Sequence, residues 1–175
     1  MSQLTENRTV TSIAANKAIL KAFAKKRPVF LWGPMGIGKS ELMQGIVDSG
    51  DIGNALLIDL RMALMEPTDI KGIPFYNKEL GVMDWAPPVD LPSPELAKQY
   101  DTVVLFLDEL NSAPQSTQAA AYQLVLNNRV GKYQLPSNVV IVAAGNRETD
   151  KGVTASIRQQ KTGKKVGFHS RTKEQ

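Results

Sequence analysis

The chain has 175 residues and a mass of 19.1 kDa, a length that suits one domain. Apolar residues make up 42% of it and charged residues 22%, which is typical of folded globular proteins and argues against a disordered chain. Because cysteine is absent, a disulfide scaffold, thiol catalysis and thiolate zinc sites are excluded. The single histidine, His169, leaves no histidine cluster for a metal and argues against a Ser-His-Asp hydrolase.

The net charge of +4 is concentrated at the carboxyl end. Residues 158–175 carry six Lys or Arg against one Glu, whereas the remaining residues hold 15 basic and 16 acidic side chains. We therefore divide the chain into a globular core, 1–157, and a basic, flexible tail, 158–175. A solvated chain end explains this charge without any partner, so we do not expect nucleic acid to bind.

No segment has the pattern of a membrane span or an export signal. The longest apolar run, 139–144, is far shorter than a bilayer requires. The first ten residues are polar and lack the apolar centre of a signal peptide. We therefore expect a cytoplasmic protein without a membrane partner.

Hydrophobic periodicity and turn residues predict helices that alternate with short apolar strands. In chain order, the predictions are a helix over 13–24, a strand over 28–32, a helix from Lys39 to about Gly50, a strand over 55–60, a hairpin that pairs 73–76 with 82–85, a short helix over 93–100, a strand over 103–107, a helix over 114–127 and a strand over 139–144. Strands that are apolar throughout indicate a parallel sheet with helices on both faces. The predicted fold class is therefore α/β, with three layers (α/β/α) around a parallel sheet.

A glycine-rich loop lies between the first predicted strand and the helix that follows it. Residues 33–40, GPMGIGKS, match the phosphate-binding pattern GxxxxGK[ST], which predicts a P-loop NTPase. Glycines let successive backbone N–H groups turn towards a phosphate, and the helix adds the positive end of its dipole. We expect the lysine to contact the outer phosphates and the serine to hold Mg²⁺. The candidate nucleotide-binding residues are Gly33, Pro34, Met35, Gly36, Ile37, Gly38, Lys39 and Ser40.

A pair of acids, Asp108 and Glu109, follows the strand predicted over 103–107. Open α/β sheets bind ligands at the carboxyl ends of their strands, so these carboxylates would lie beside the glycine-rich loop. We expect Asp108 to join Ser40 in holding Mg²⁺ and Glu109 to act as general base on an attacking water. Acids at a strand end are common on their own, and the upstream loop is what makes this pair informative.

Asn146 comes directly after the last predicted strand and Gly145. Its amide would lie near the acidic pair, where it could orient the water or contact the γ-phosphate, and we count it with Glu109 among the catalytic candidates. A turn-forming role after Gly145 explains the spacing equally well. The guanine-binding NKxD motif is incomplete because Thr149 replaces its aspartate, which disfavours a GTPase.

Three segments, GPMGIGKSEL, FLDELNSAPQSTQAA and VVIVAAGNRETDKGVT, resemble AAA+ ATPases of the MoxR type, over most of residues 10–154. Residues 67–74 and 85–92 are similar to the insert that this group carries between its second and third strands. The resemblance implies ATP and Mg²⁺ as ligands, an acidic pair that supports hydrolysis, and a sensor-1 asparagine. The positions that match these roles are Lys39, Ser40, Asp108, Glu109 and Asn146. It also implies a homo-oligomeric ring that remodels a protein client, often one with a von Willebrand A domain.

The resemblance ends near Thr154. The family continues into an arginine finger, a fifth strand and a helical lid, and residues 155–175 match none of these. We therefore expect an AAA+ core truncated after sensor 1, without the fifth strand and the lid. We assign none of Arg147, Arg158 and Arg171 as the finger. In the family's strand order, the strand over 28–32 would then approach the sheet edge unless the tail, around 166–169, covers it.

The sequence thus predicts an ATPase that hydrolyses Mg-ATP to remodel a protein partner. Two alternatives remain open. A truncated chain would bind nucleotide without hydrolysing it, since an arginine finger contributes several orders of magnitude in rate to related enzymes. A polyanion binder that acts through the tail would lose its binding when residues 158–175 are deleted, and its binding would depend steeply on salt.

Overall fold

The computed structural model describes residues 9–146 and 166–168. Its elements in chain order are β1 (Thr9–Val10), α1 (Ser12–Phe23), β2 (Val29–Trp32), α2 (Lys39–Asp48), β3 (Ala55–Arg61), α3 (Pro67–Lys71), β4 (Ile73–Asn77), β5 (Val82–Ala86), α4 (Pro94–Ala97), β6 (Thr102–Asp108), α5 (Gln115–Asn127), β7 (Arg129–Val130), β8 (Tyr133–Gln134), β9 (Val139–Gly145) and β10 (Val166–Phe168). Single turns of 3-10 helix follow β3 and β6, at Met62–Leu64 and Leu110–Ser112.

The main sheet is parallel, with its strands in the order β1-β10-β2-β9-β6-β3. In the ladders, Trp32 lies opposite Gly145, and Asp108 lies opposite Arg61. Because all of these strands run in the same direction, the residues that follow β2, β6 and β9 lie along one edge of the sheet. The sheet therefore brings the glycine-rich loop, the acidic pair and Asn146 to the same edge.

Helices cover both faces of the sheet and bury two apolar clusters. On one face α1 and α2 pack against the strands, with Ile19, Phe23, Leu31, Met43, Ile46, Val104, Phe106 and Val142 in the core. On the other face α3 and α5 pack, with Met62, Ile70, Leu91, Val103, Leu105, Leu107, Leu124 and Ile141 in the core. Burial of β6 and β9 on both faces explains why these two strands are apolar throughout. The predicted α/β/α fold class is confirmed, and most element bounds agree within two residues.

Several elements were not predicted from the sequence, among them the short strand β1, the helix α3 and the hairpin β7–β8. No helix was predicted between the strand over 55–60 and the hairpin that follows it, but Pro67–Lys71 forms a short helix there. Glu66 and Asp69 form a capping box at its start, with each side chain bound to the other residue's backbone N–H, and Pro67 takes the first helical position. A small hairpin, also not predicted, forms around Gly131, because β7 and β8 pair on either side of it.

The edge of β2 is covered by residues from the tail. β10 runs parallel to β2, with Val166 opposite Leu31, and β1 pairs with the other side of β10. The fifth strand was expected to be missing beside β2. Three residues of the tail, Val166–Phe168, occupy that place, within the segment around 166–169 that was named as able to cover β2. The rest of the tail, including His169, and the three arginines considered as fingers lie outside the described residues. Within the described part of the chain, no helix is both long and apolar enough to cross a membrane.

Candidate functional site

The loop between β2 and α2 passes through two backbone conformations that favour glycine. Gly36 and Gly38 have φ angles of 73° and 88°, in the left-handed region where a side chain is strained. A Cβ at Gly36 would meet no atom within 4 Å, so the backbone conformation rather than space requires glycine there. Gly38 caps α2, and its carbonyl accepts a hydrogen bond from the N–H of Leu42 at 3.0 Å. The helix thus begins immediately after the loop, with the first N–H groups of its first turn lacking partners within the helix.

Lys39, the first residue of α2, ties the loop to the end of β9. Its side chain is buried, and its Nζ donates hydrogen bonds to the carbonyl oxygens of Gly33 and Pro34, both at 3.0 Å. The same Nζ donates to Oδ1 of Asn146 at 3.2 Å. A positive charge is therefore held between the loop and the residue that follows β9, at the edge of the sheet.

Ser40 makes the corresponding contact with the end of β6. Its Oγ donates to Oδ2 of Asp108 at 3.4 Å, while Oδ1 of Asp108 accepts from the backbone N–H of Glu109 at 2.8 Å. Hydroxyl and carboxylate oxygens are ligands that Mg²⁺ prefers, and this ion usually takes only one or two protein ligands besides water and substrate phosphates. Within the described ranges no group of three His, Cys, Asp or Glu side chains could hold a metal by itself. The pair fits an Mg²⁺ ion that is shared with a phosphate ligand.

Glu109 has a left-handed backbone, with φ 54° and ψ 32°. This conformation costs a non-glycine residue about 1–2 kcal/mol. The left-handed backbone of Glu109 ends β6 and directs the chain into the turn at Leu110–Ser112. There the N–H of Ser112 donates to the carbonyl of Glu109 at 2.9 Å. Lys26 and Asn128 share this conformation at other turns, so at Glu109 it sets the direction of the chain and does not by itself identify a functional residue.

A further carboxylate, Asp59 on β3, lies near this edge. Burial and the negative charge of Asp108 raise the pKa of Asp59 above its usual value, and Arg61 opposes the shift. The interaction with Asp108 indicates that the two carboxylates repel each other across neighbouring strands. Negative charge therefore accumulates at the end of β6, where a divalent cation would neutralise it.

The structure brings four of the predicted side chains into two hydrogen-bonded pairs, Lys39 with Asn146 and Ser40 with Asp108. Glu109 adjoins the second pair through its backbone. Met35, which was counted with the loop, has an exposed side chain, so only its backbone can belong to a phosphate cradle.

Sequence reasoning missed Asn111, whose side-chain amide holds the backbone of Asn146 from both sides. The two residues are 35 positions apart, and neither periodicity nor a motif links them. A weak signal was available, since a polar residue two positions after the strand-end acidic pair is well placed to face the next strand along the sheet.

Comparisons with known proteins agree with this architecture. A sequence profile described as the Sigma-54 interaction domain matches residues 5–161. Among curated proteins, none matches the chain.

Solved structures with the same fold include a protein of Cytophaga hutchinsonii described as a "putative ATPase", with 18% identity and a TM-score of 0.54 over 85% of this chain. NtrX of Brucella abortus in complex with ADP has 16% identity and a TM-score of 0.50 over 79% of this chain. At such identities the likeness shows the fold alone. The chain spans 43% and 30% of the lengths of these two proteins, respectively.

Proposed function

This chain belongs to the Sigma-54 interaction domain family of AAA+ ATPases, and from that premise we propose that it binds Mg-ATP and hydrolyses it to ADP and phosphate. One observation carries the proposal. Consecutive residues at the start of α2, Lys39 and Ser40, contact the residues that end two neighbouring strands, Asn146 after β9 and Asp108 on β6. A cation, a hydroxyl, a carboxylate and an amide thus converge where a glycine-rich loop meets a helix N-terminus, which suits a triphosphate with its metal ion.

Each side chain in this arrangement has a distinct role in the proposal. Lys39 would give up its hydrogen bonds to neutral carbonyl oxygens and donate to the outer phosphates, because hydrogen bonds to charged oxygens are stronger. Ser40 and Asp108 would hold Mg²⁺, which supplies neutralisation of the phosphate charge when bound. Glu109 would accept a proton from the water whose oxygen attacks the γ-phosphorus, as the bond from that phosphorus to the bridging oxygen of ADP breaks. Asn146 would donate a hydrogen bond to the γ-phosphate.

We extend the proposal to a role in remodelling a protein partner in the cytoplasm. The MoxR-type motifs support this role, and with it a ring of several copies and a client that carries a von Willebrand A domain. The hairpin β4–β5 gives some independent support, since Phe75, Tyr76 and Trp85 expose large apolar side chains there.

The experiment for the proposed activity is phosphate release at saturating Mg-ATP over a range of protein concentrations. We expect release by the wild type and none by Glu109→Gln, which keeps the shape of the side chain but cannot act as a base. Glu79→Gln makes the same chemical change in the exposed turn between β4 and β5 and should retain the wild-type rate. Specific activity that rises with protein concentration would indicate that neighbouring copies complete the site.

Nucleotide binding measured in parallel separates the alternatives. Binding without release by the wild type would contradict the ATPase proposal and favour a nucleotide-binding protein that does not hydrolyse. If DNA or RNA binds, and this binding disappears when residues 158–175 are deleted, the polyanion alternative is favoured instead.

A further inference from the structure

Asn111 makes a reciprocal pair of hydrogen bonds with the backbone of Asn146. Its Oδ1 accepts from the N–H of Asn146 at 2.9 Å, and its Nδ2 donates to the carbonyl of Asn146 at 2.8 Å. Asn111 is 2% exposed and Asn146 is 3% exposed, so water does not compete for these bonds. A single side-chain amide thus fixes both the position and the tilt of the peptide groups around Asn146, where the ladder of β9 has ended.

Gln118 on α5 holds the turn that carries Asn111. Its Nε2 donates to the carbonyl oxygens of Ala113 at 2.8 Å and of Asn111 at 3.4 Å, and the side chain is buried. The turn at Leu110–Ser112 is therefore anchored to a helix that packs on the opposite face of the sheet from α2. This anchor comes from a different element than the glycine-rich loop.

The side chain of Asn146 has one satisfied polar atom and one unsatisfied polar atom. Its Oδ1 accepts from Nζ of Lys39, while its Nδ2 is buried and has no hydrogen-bond partner. An ammonium group can only donate, so the amide must present its oxygen to Lys39, and this leaves Nδ2 as the unused donor. A buried donor without a partner is costly and calls for an explanation, and at the edge where Lys39, Ser40 and Asp108 converge a ligand would provide one.

These contacts form a continuous connection from α5 to the proposed phosphate site. We propose that Asn111 is the positioning residue of that site: it holds Asn146 so that the unsatisfied Nδ2 donates to a terminal phosphate oxygen of the nucleotide. The inference rests on the proposed function. Because Asn111 follows Glu109 by two positions, the same turn also links the base to the phosphate donor.

The test compares Asn111→Ala with Asn146→Ala in the affinity for Mg-ATP and for Mg-ADP. We expect each variant to bind Mg-ATP roughly tenfold more weakly, because that is the effect of losing one hydrogen bond to a charged group. Binding of Mg-ADP, which lacks the terminal phosphate, should change little. In the double variant the two losses should not add, because both remove the same contact. Asn138→Ala is the matched control: Asn138 also donates to two backbone carbonyls, those of Ala97 and Tyr100, but at the amino end of β9. It should bind both nucleotides as the wild type does.

Three outcomes of the binding measurements overturn the inference. The first is Asn111→Ala binding Mg-ATP as tightly as Asn138→Ala does. The second is losses that add fully in the double variant. The third is a wild-type chain that binds no nucleotide, which overturns the proposed function as well and so differs from the first two.

A second variant and a second measurement keep the test decisive if Asn111→Ala does not fold. Gln118→Met has nearly the same volume and removes the two bonds that anchor the turn, so it should also weaken Mg-ATP binding more than Mg-ADP binding. Hydrogen exchange of the Asn146 amide needs no nucleotide. Its protection should fall in Gln118→Met and stay unchanged in Asn138→Ala, and equal protection in all three proteins would overturn the inference.

Discussion

A single methyl group added at Gly145 would disturb the buried amides of the site. An ideal Cβ there would lie 2.8 Å from Oδ1 of Asn111 and 3.2 Å from Cε1 of Phe30. That oxygen accepts the hydrogen bond from the N–H of Asn146 at 2.9 Å, so the methyl group would compete with the bond. Asn111 is buried and bonded to Asn146 on both sides, so it cannot rotate away without losing these contacts.

The size of the effect follows from these contacts. Overpacking a buried site costs about 1–3 kcal/mol, and each hydrogen bond that is lost costs about 1 kcal/mol more. We therefore expect Gly145→Ala to lower the free energy of unfolding by roughly 2–4 kcal/mol. Because the strain falls on Asn146, binding of Mg-ATP by the folded variant should weaken by about tenfold.

Urea unfolding followed by circular dichroism measures the free energy of unfolding of Gly145→Ala and the wild type. Gly45→Ala is the matched control, because a Cβ at Gly45 in α2 would meet no atom within 4 Å. This control should raise stability by up to about 1 kcal/mol, since alanine favours helix more than glycine does. Equal urea midpoints for Gly145→Ala and the wild type would refute the close approach of Asn111 on which the reasoning depends.

Three further predictions concern stability. The hydroxyl of Tyr122 is buried without a hydrogen-bond partner, so Tyr122→Phe should raise the free energy of unfolding by about 1 kcal/mol in a thermal melt at neutral pH. Burial raises the pKa of Tyr122 from 10.0 to about 12, so the wild type should lose stability relative to this variant as the pH rises through that range, and a constant difference would contradict the assignment. A Cβ at Gly72 would lie too close to the carbonyl oxygen of Ala86, so Gly72→Ala should unfold at a clearly lower urea concentration than Gly81→Ala. Gly81 shares the positive φ, but a Cβ there would meet no atom nearer than 4.0 Å, and equal urea midpoints for the two variants would contradict the prediction. Asp59→Asn should slightly stabilise the chain at pH 7 in urea unfolding, where the raised pKa of Asp59 makes its charge unfavourable, although solvent weakens the effect at this exposed side chain. The gain should shrink as the pH falls through the pKa of this carboxyl and vanish well below 3.8, where it is protonated in both the folded and the unfolded chain; a gain that persists there would contradict the interpretation.

Much of the fold could be predicted from the sequence because its signals are local. The runs that form β6 and β9 are apolar at every position, as burial on both faces of a sheet requires. The glycine-rich loop can be recognised by its motif. The positive φ angles of Gly36 and Gly38 are the physical reason for two of its glycines. The parallel sheet then places the ends of separate strands at one edge, so the approximate position of the site follows from the fold.

Features that depend on distant contacts could not be predicted. Asn111 and Asn146 meet across 35 positions, through side-chain bonds to backbone that no periodicity records. The segment Val166–Phe168 was named only as one that could cover the edge of β2, because three residues carry too little pattern to predict a strand. The helix α3 is different: its capping box and Pro67 are visible in the sequence, but proline and glycine are frequent around them and favour turns, so no helix was predicted there.

The central claim, that the loop at residues 33–40 and the ends of β6 and β9 form a Mg-ATP site, is tested most directly by calorimetric titration with Mg-ATP. The wild type should bind, and Lys39→Ala should bind at least about tenfold more weakly, because it removes the charge that contacts the outer phosphates. Lys98→Ala removes an exposed lysine near the amino end of β6, at the opposite edge of the sheet, and should bind as the wild type does. Equal affinity for Lys39→Ala and Lys98→Ala, or no binding by the wild type, would contradict the account.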